Sequence, residues 1–408
     1  MPAIKYSVPF IGKEEKMSVR DAVTSGRIQG DGTICKQAEK ALCGIMGARK
    51  AFLTTSGTHA LELALMALGV KEGDEVICPS FTFVSTANAI IRQGARPVFA
   101  EIEPDTLNLD IDDVERRITK RTRAVIPVHY AGFSCDIARL RRLASDKGIR
   151  VIEDAAQSIG ARYDGRHLGT FGDFGCLSFH STKNITCGEG GAIIVNRKAL
   201  DDRIQVIREK GTNRFLFMQG KICKYTWIDV GSSFVISDVL AAMLLAQLKR
   251  LPSVSEKRRR LFNIYLSGLK RLEDDGYIAL PHPDDKRSCG NGHIFWILVN
   301  RDISRKRLIE RLRSKGIQCT HHYIPLHSSP FGMKRLGYKK KDFPVTEDVA
   351  RRLVRLPLHP YMTAKQVRYV IDELTRSLCR HCEPRRGEAS SYKRLLRRSA
   401  PRNDKGAA

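Results

Sequence analysis

One lysine, Lys183, sits in the stretch SFHSTKNITCGEGGA (178–192), with Phe179 and His180 before it and Gly188, Gly190 and Gly191 after it. A lysine amine in a partly desolvated pocket gives up its proton more readily than in water and becomes a nucleophile toward carbonyl carbons. The glycines around it let backbone close tightly on a flat ring. Asp154, 29 residues upstream, closes the apolar run VIED, and Gln157 follows three residues later. A carboxylate at the end of a buried strand is costly without a partner. It serves either in a structural ion pair or as the group that keeps a heterocyclic nitrogen protonated. A third feature is Ser56-Gly57-Thr58, between an apolar run and a helical pattern. Gly57 permits close backbone approach, and the free N–H groups of a helix N-terminus suit a phosphate. An N-cap followed by a turn glycine is the plainer reading of that tripeptide. Phe83, in PSFTFVSTANA, is either a ring-stacking residue or a core aromatic. Each feature alone is ordinary. Together, an anion cradle, an acid at a strand end and a lysine in a glycine-rich turn meet the requirements of pyridoxal 5′-phosphate.

The elements that must position them alternate. From about residue 50 to 195, short apolar runs (AFL, EVIC, PVFA, AVIPV, VIED) are separated by helical patterns over 56–69, 86–92, 111–118 and 136–147. Continuous apolar strands spaced by helices mark βαβ units and a mostly parallel sheet covered on both faces. Ligands of such sheets bind at the carboxyl ends of the strands, where all three features fall. Short strands over 176–179 and 192–195 and a helix over 198–208 complete this part. A polar loop of about twenty residues (KGTNRFLFMQGKICKYTW) follows, long enough to read as functional or interfacial. The expected architecture is α/β: a large PLP-binding domain over 1–245 and a smaller C-terminal α/β domain over 246–379. The smaller domain should hold a helix to Leu272, a strand over 295–299 and helices over 304–314 and 363–377.

Composition restricts the classes. The chain has 408 residues, a hydrophobic content of 42% and a formal net charge of +26, enough length for one large domain and a smaller one. MPAIKYSVPFIGKEEKMS is too polar for a signal peptide, and no run of 18 apolar residues suggests a membrane span. The reading is a cytoplasmic protein. Eleven cysteines without regular spacing read as reduced thiols. Cys379-Arg380-His381-Cys382 lacks a second ligand pair, so no metal is expected. The basic charge raises a nucleic-acid partner. However, it concentrates only over 380–408, with nine Lys/Arg against three Asp/Glu, and that segment reads as a disordered tail. His321, His322 and His327 cluster in THHYIPLH, but Pro325 interrupts the run and no acid is near. It reads as a loop beside the substrate, touched by His322 or Tyr323, or as a packed structural loop.

The stretches TSGTHALELAL, CPSFTFVSTANAI, IPVHYAG, VIEDAAQSIGA and SFHSTKNITCGEGGAI, spread over about residues 5–378, resemble the DegT/DnrJ/EryC1/StrS sugar aminotransferases. The resemblance implies the fold of aspartate aminotransferase (fold type I) and a homodimer that builds its sites at the subunit interface. It implies that Lys183 bonds covalently to the cofactor, that Asp154 faces the pyridinium nitrogen and that Gln157 approaches the ring hydroxyl. Gly57, Thr58 and Ser178 would hold the phosphate, and Phe83 would stack on the ring. Members that dehydrate sugars carry histidine at the lysine position, so Lys183 implies amination, with L-glutamate as donor. The stretches REKGTNRFLFMQGKICKYTWIDVGSSF and HYIPLH are similar to family members that act on dTDP-4-keto-6-deoxy-D-glucose. Their product is dTDP-4-amino-4,6-dideoxy-D-galactose, used in cell-surface polysaccharide. Ser233 stands where many members carry an asparagine that reaches the neighbouring subunit's phosphate; this subgroup also reads GSS. The alternatives are a transaminase for another UDP- or GDP-linked keto sugar, and a regulatory or nucleic-acid-binding protein that keeps a pyridoxal-phosphate domain.

Overall fold

The computed structural model describes residues 3–26, 28–282 and 286–379. The basic tail over 380–408, and with it Cys382, lies outside the described residues. Seven strands build the main sheet: β1 Ala51–Thr54, β2 Glu75–Pro79, β3 Arg96–Ala100, β4 Thr122–Val125, β5 Arg150–Asp154, β6 Phe174–Ser178 and β7 Gly191–Val195. Their order is β1-β7-β6-β5-β4-β2-β3. All neighbours pair parallel except those of β7, which runs antiparallel to both β1 and β6. The apolar runs are buried on both faces for the expected reason. Val76 and Cys78 pack into one cluster with Leu61, Leu63 and Leu65 of the helix Gly57–Ala67. Ile77, Val125 and Val151 point the other way, into a cluster with Leu140 and Ala144 of the helix Ile137–Asp146. The helix Thr33–Met46, which carries no strong sequence signal, covers β1 and β7 through Ala38, Leu42 and Met46.

A smaller antiparallel sheet orders β8 Ile278–Ala279, β9 Phe295–Val299 and β10 Leu353–Leu356. The helices Arg305–Ser314 and Ala364–Cys379 belong to the same part of the chain. One helix, Asp238–Asp274, runs through the expected boundary at 245/246 without a break, with Pro252 inside it. Its side chains change cores along its length. Leu244, Leu248 and Leu251 pack with the main sheet, and Leu261, Phe262, Tyr265 and Leu269 pack with the smaller one. The helix therefore couples the two parts as a rod. The polar stretch over 210–227 is not an unbroken loop: it holds the short helix Arg214–Met218, and Phe217 packs its ring 5.8 Å from Tyr225. No helix among the described residues is long and apolar enough to cross a membrane.

Candidate active site

Because β1, β2, β4, β5 and β6 point the same way, their carboxyl ends share one edge of the sheet. β1 leads through Ser56 into the helix Gly57–Ala67. Ser56 caps it, its hydroxyl accepting from the His59 N–H at 3.1 Å, while the first N–H groups stay open to the edge. A Cβ on Gly57 would stand 2.9 Å from the Ser178 Cβ, and one on Gly191 only 2.4 Å from the Ser56 carbonyl. Both glycines exist because three backbone segments meet here. Ser178, at the end of β6, is buried against this junction, and its hydroxyl accepts from the His180 N–H at 3.4 Å. The Thr58 hydroxyl shares a 2.7 Å hydrogen bond with Ser85.

Asp154, 6% exposed, ends β5. It accepts from the Thr86 hydroxyl at 2.8 Å and the Ala156 N–H at 3.2 Å. Burial pushes its carboxyl up from the usual range; Thr86, Ala156, Lys183 and His129 oppose the shift. Lys183 lies in the turn after β6, its N–H donating to the His180 carbonyl at 2.9 Å. Burial pulls its ammonium down to about 8; the charge of Asp154 works against this and that of Arg355 with it. The amine is thus within reach of its free-base form at neutral pH, and one carboxylate shares its field.

Gln157 accepts from the Ala131 N–H at 2.8 Å and donates to the Tyr323 hydroxyl at 2.9 Å. Ala131 carries a left-handed backbone, with φ 57°. That turn aims its N–H at Gln157 and brings Tyr130 beside His322, whose Nδ1 lies 2.7 Å from the Tyr130 hydroxyl. The rings of His322 and Tyr323 stack at 3.7 Å. The structure therefore brings Lys183, Asp154, Gln157, Ser178, Gly57, Thr58, His322 and Tyr323 to one edge. Phe83 is 57% exposed, 6.4 Å from the Tyr323 ring, so the core-aromatic reading fails. Ser233 is exposed, and its side chain makes no hydrogen bond to the cradle of its own chain among the described residues. His327 stands apart: it is fully buried and bonds the Ser80 hydroxyl at 2.6 Å. Among the described residues no group of three or more His, Cys, Asp or Glu could hold a metal.

Several contributors carry no local sequence signal. Glu153, fully buried beside Asp154, accepts from the N–H groups of Gly169, Phe171 and Gly172 at 2.6–2.8 Å and pairs with His129 Nε2 at 2.8 Å. It fixes the loop into β6. Asn184, next to Lys183, bonds His293 Nδ1 at 2.8 Å and the Asn291 carbonyl at 3.1 Å. Asn291 in turn donates to the carbonyls of Gln157 and Ile159 at 2.9 Å.

A family model described as the DegT/DnrJ/EryC1/StrS aminotransferase family matches residues 9–375. The chain belongs to that family. The spore coat polysaccharide biosynthesis protein SpsC of Bacillus subtilis is 36% identical over 90% of this chain and 95% of its own. Among solved structures, DesV of S. venezuelae is 32% identical, with a TM-score of 0.83 over 93% of this chain and 99% of its own. The PLP-form of the sugar aminotransferase Spr1654 of Streptococcus pneumoniae, itself described as putative, is 29% identical, with a TM-score of 0.84 over 92% and 98%. The fold is thus that of the fold type I sugar aminotransferases, and the chain is an aminotransferase whose cofactor is pyridoxal 5′-phosphate. The residues at the sheet edge fit that group. A helix N-terminus is left open by two space-limited glycines, the buried Asp154 makes no ion pair among the described residues, and a desolvated amine shares its field.

Proposed function

We propose that this aminotransferase moves the amino group of L-glutamate onto a nucleotide-linked 4-keto-6-deoxy sugar. The substrate would be dTDP-4-keto-6-deoxy-D-glucose and the product dTDP-4-amino-4,6-dideoxy-D-galactose, for cell-surface polysaccharide. The observation that carries the chemistry is a Lys183 amine drawn down to about 8 by burial, within the field of the buried Asp154. The likeness of the stretch over 208–234 to one subgroup carries the sugar. Pyridoxal phosphate supplies an electron sink for the bond that breaks at the donor α-carbon. Asp154 would keep the ring nitrogen protonated, Gln157 would meet the ring hydroxyl and Phe83 would cover the ring. The helix N-terminus at Gly57 and Thr58 holds the phosphate with Ser178. Lys183 would hold the cofactor and would carry the proton between the donor carbon and the cofactor carbon, as base and then as acid. His322 and Tyr323 face the sugar.

The enzyme works as a homodimer in this reading, with Ser233 reaching the neighbour's site. Phe217 (41% exposed), Trp227 (75%), Ile228 (54%) and Val230 (68%) form an apolar surface of the kind a second copy covers. The test is incubation with L-glutamate and a panel of dTDP-, UDP- and GDP-linked keto sugars, with products read by mass and NMR. A 4-amino product of galacto configuration from the dTDP sugar is expected. Amination of a UDP or GDP sugar alone would overturn the substrate assignment.

A further inference from the structure

Two adjacent acids end β5, and their surroundings differ. Glu153 is saturated: three backbone N–H groups and His129 Nε2 meet its two oxygens at 2.6–2.8 Å. Asp154 makes no ion pair among the described residues. It accepts only from the Thr86 hydroxyl at 2.8 Å and the Ala156 N–H at 3.2 Å. An ionised carboxylate offers about four acceptor sites, so Asp154 keeps capacity for a further donor. Thr86 is fully buried in the first turn of the helix Val84–Ile91, and its hydroxyl lies 2.9 Å from that of Thr82, four residues earlier. Thr86 gives its one hydroxyl proton to Asp154, so Thr82 is the donor between the two. The result is a one-way chain, Thr82 to Thr86 to Asp154, in which each bond polarises the next.

The same turn carries Ser85, whose hydroxyl meets that of Thr58 at 2.7 Å. One short segment, TFVST over 82–86, therefore reaches both Asp154 and the open helix N-terminus at Thr58. Burial raises the Asp154 carboxyl, and Thr86 is the largest influence against it, ahead of the Ala156 N–H, Lys183 and His129. The other titratable groups that feel Asp154 are Cys78 on β2, Cys176 on β6 and Tyr323. Burial raises all three and the Asp154 charge adds to it, so they stay neutral and bring no cation. A lysine or arginine paired with Asp154 would hold its charge and also occupy its oxygens. A chain of neutral hydroxyls favours the ionised form and leaves the carboxylate free to meet a cation from a ligand.

We infer that the Thr82–Thr86 hydroxyl chain keeps Asp154 ionised and in place, and so sets how tightly the site grips the protonated ring nitrogen of the cofactor. Thr86 is a positioning residue that acts through Asp154, and Thr82 acts through Thr86. The inference rests on the reading of Asp154 given above and adds to it the residues that set its charge.

The experiment uses the full chain freed of cofactor, as wild type, Thr86→Val, Thr86→Ser and Thr82→Val. Each is titrated calorimetrically, over a series of pH values, with pyridoxal 5′-phosphate and with its 1-deaza analogue, which carries C–H in place of the ring nitrogen. Both probes keep the phosphate and the aldehyde, so the ratio of their affinities isolates the grip on the nitrogen. For Thr86→Val the ratio falls about tenfold to a hundredfold, the range of a hydrogen bond to a charged group. Its decline on acidification also begins at higher pH than in wild type, because a carboxylate that has lost a donor takes up a proton sooner. Thr86→Ser restores the ratio, and Thr82→Val lowers it less than Thr86→Val. Wild-type ratios in both valine variants, or equal losses for cofactor and analogue, would overturn the inference, since the threonines would then only pack the helix. A Thr86→Ser protein as weak as Thr86→Val would overturn it too. Should Thr86→Val fail to fold, Thr82→Val, one residue further from the acid, carries the same test. A wild-type protein that binds the analogue as tightly as the cofactor would instead refute the role of Asp154 itself, which separates the two readings.

Discussion

Gly191→Ala isolates the cradle from the chemistry. Gly191 opens β7, paired with Thr54 on one side and Ser178 on the other. An added Cβ would lie 2.4 Å from the carbonyl carbon and oxygen of Ser56 and 2.5 Å from the Gly57 nitrogen. All three are backbone atoms, so no rotamer change relieves the clash. Ordinary contact begins at 3.4 Å, and the strand and the helix N-terminus must part by about 1 Å. A displacement of that size at a positioned group costs about a hundredfold in rate, and overpacking costs about 1–3 kcal/mol in stability. Cofactor affinity, read by absorbance titration of apo-protein, and kcat/KM should both fall, by about a hundredfold for the latter. Gly44→Ala is the control. Gly44 lies within the helix Thr33–Met46 with nothing within 4 Å of its added Cβ, and the change should stabilise by about 0.5–1 kcal/mol with activity intact. A Gly191→Ala protein with wild-type cofactor affinity and thermal midpoint would refute the three-segment junction.

Other expectations concern the residues around it. Lys183→Ala should fold, as near-UV circular dichroism would report, and show no detectable turnover; wild-type-like amination would remove the lysine from the mechanism. In apo-protein, burial draws Lys183 from 10.5 to about 8, so the folded state holds this proton more weakly than the unfolded chain. Its penalty is in full force below pH 8 and is relieved as pH climbs from about 8 to 10.5. Amine modification mapped by mass spectrometry should therefore rise at Lys183 with a midpoint near pH 8, and a midpoint above 10 would contradict the desolvation. Glu153→Gln replaces one acceptor oxygen with a donor facing backbone N–H groups, and should cost about 3 kcal/mol or more in urea unfolding; a neutral result would show that the loop does not depend on it. Trp227→Glu should shift the sedimentation profile from dimer to monomer if the exposed apolar face is covered by a second copy; an unchanged profile would place the interface elsewhere.

The site was legible where its residues lie in contiguous strand-end motifs. Asp154 closes an apolar run, Gly57 opens a helix, and Lys183 sits among glycines, so each announces itself within a few positions. Arg355 gives no such sign. It occupies the strand LVRL directly after the helix Pro344–Arg352, with no turn residue to separate the two, and its meeting with Tyr6 depends wholly on tertiary packing. Glu153 reads as one more residue of VIED because its partners are backbone groups 16–19 positions away. The rod Asp238–Asp274 was read only in part, as a helix to Leu272; the packing of its flanks into two cores carries it through Pro252, a residue that usually breaks a helix interior.

Reducing the purified yellow holoenzyme with borohydride and mapping the labelled peptide tests whether Lys183 bonds to the cofactor. A chromophore at about 400–430 nm that disappears on reduction, with the cofactor fixed to the peptide at Lys183 and nowhere else, is the predicted result. A label on another lysine, or a protein that binds pyridoxal phosphate and yields no fixed adduct, would contradict the account.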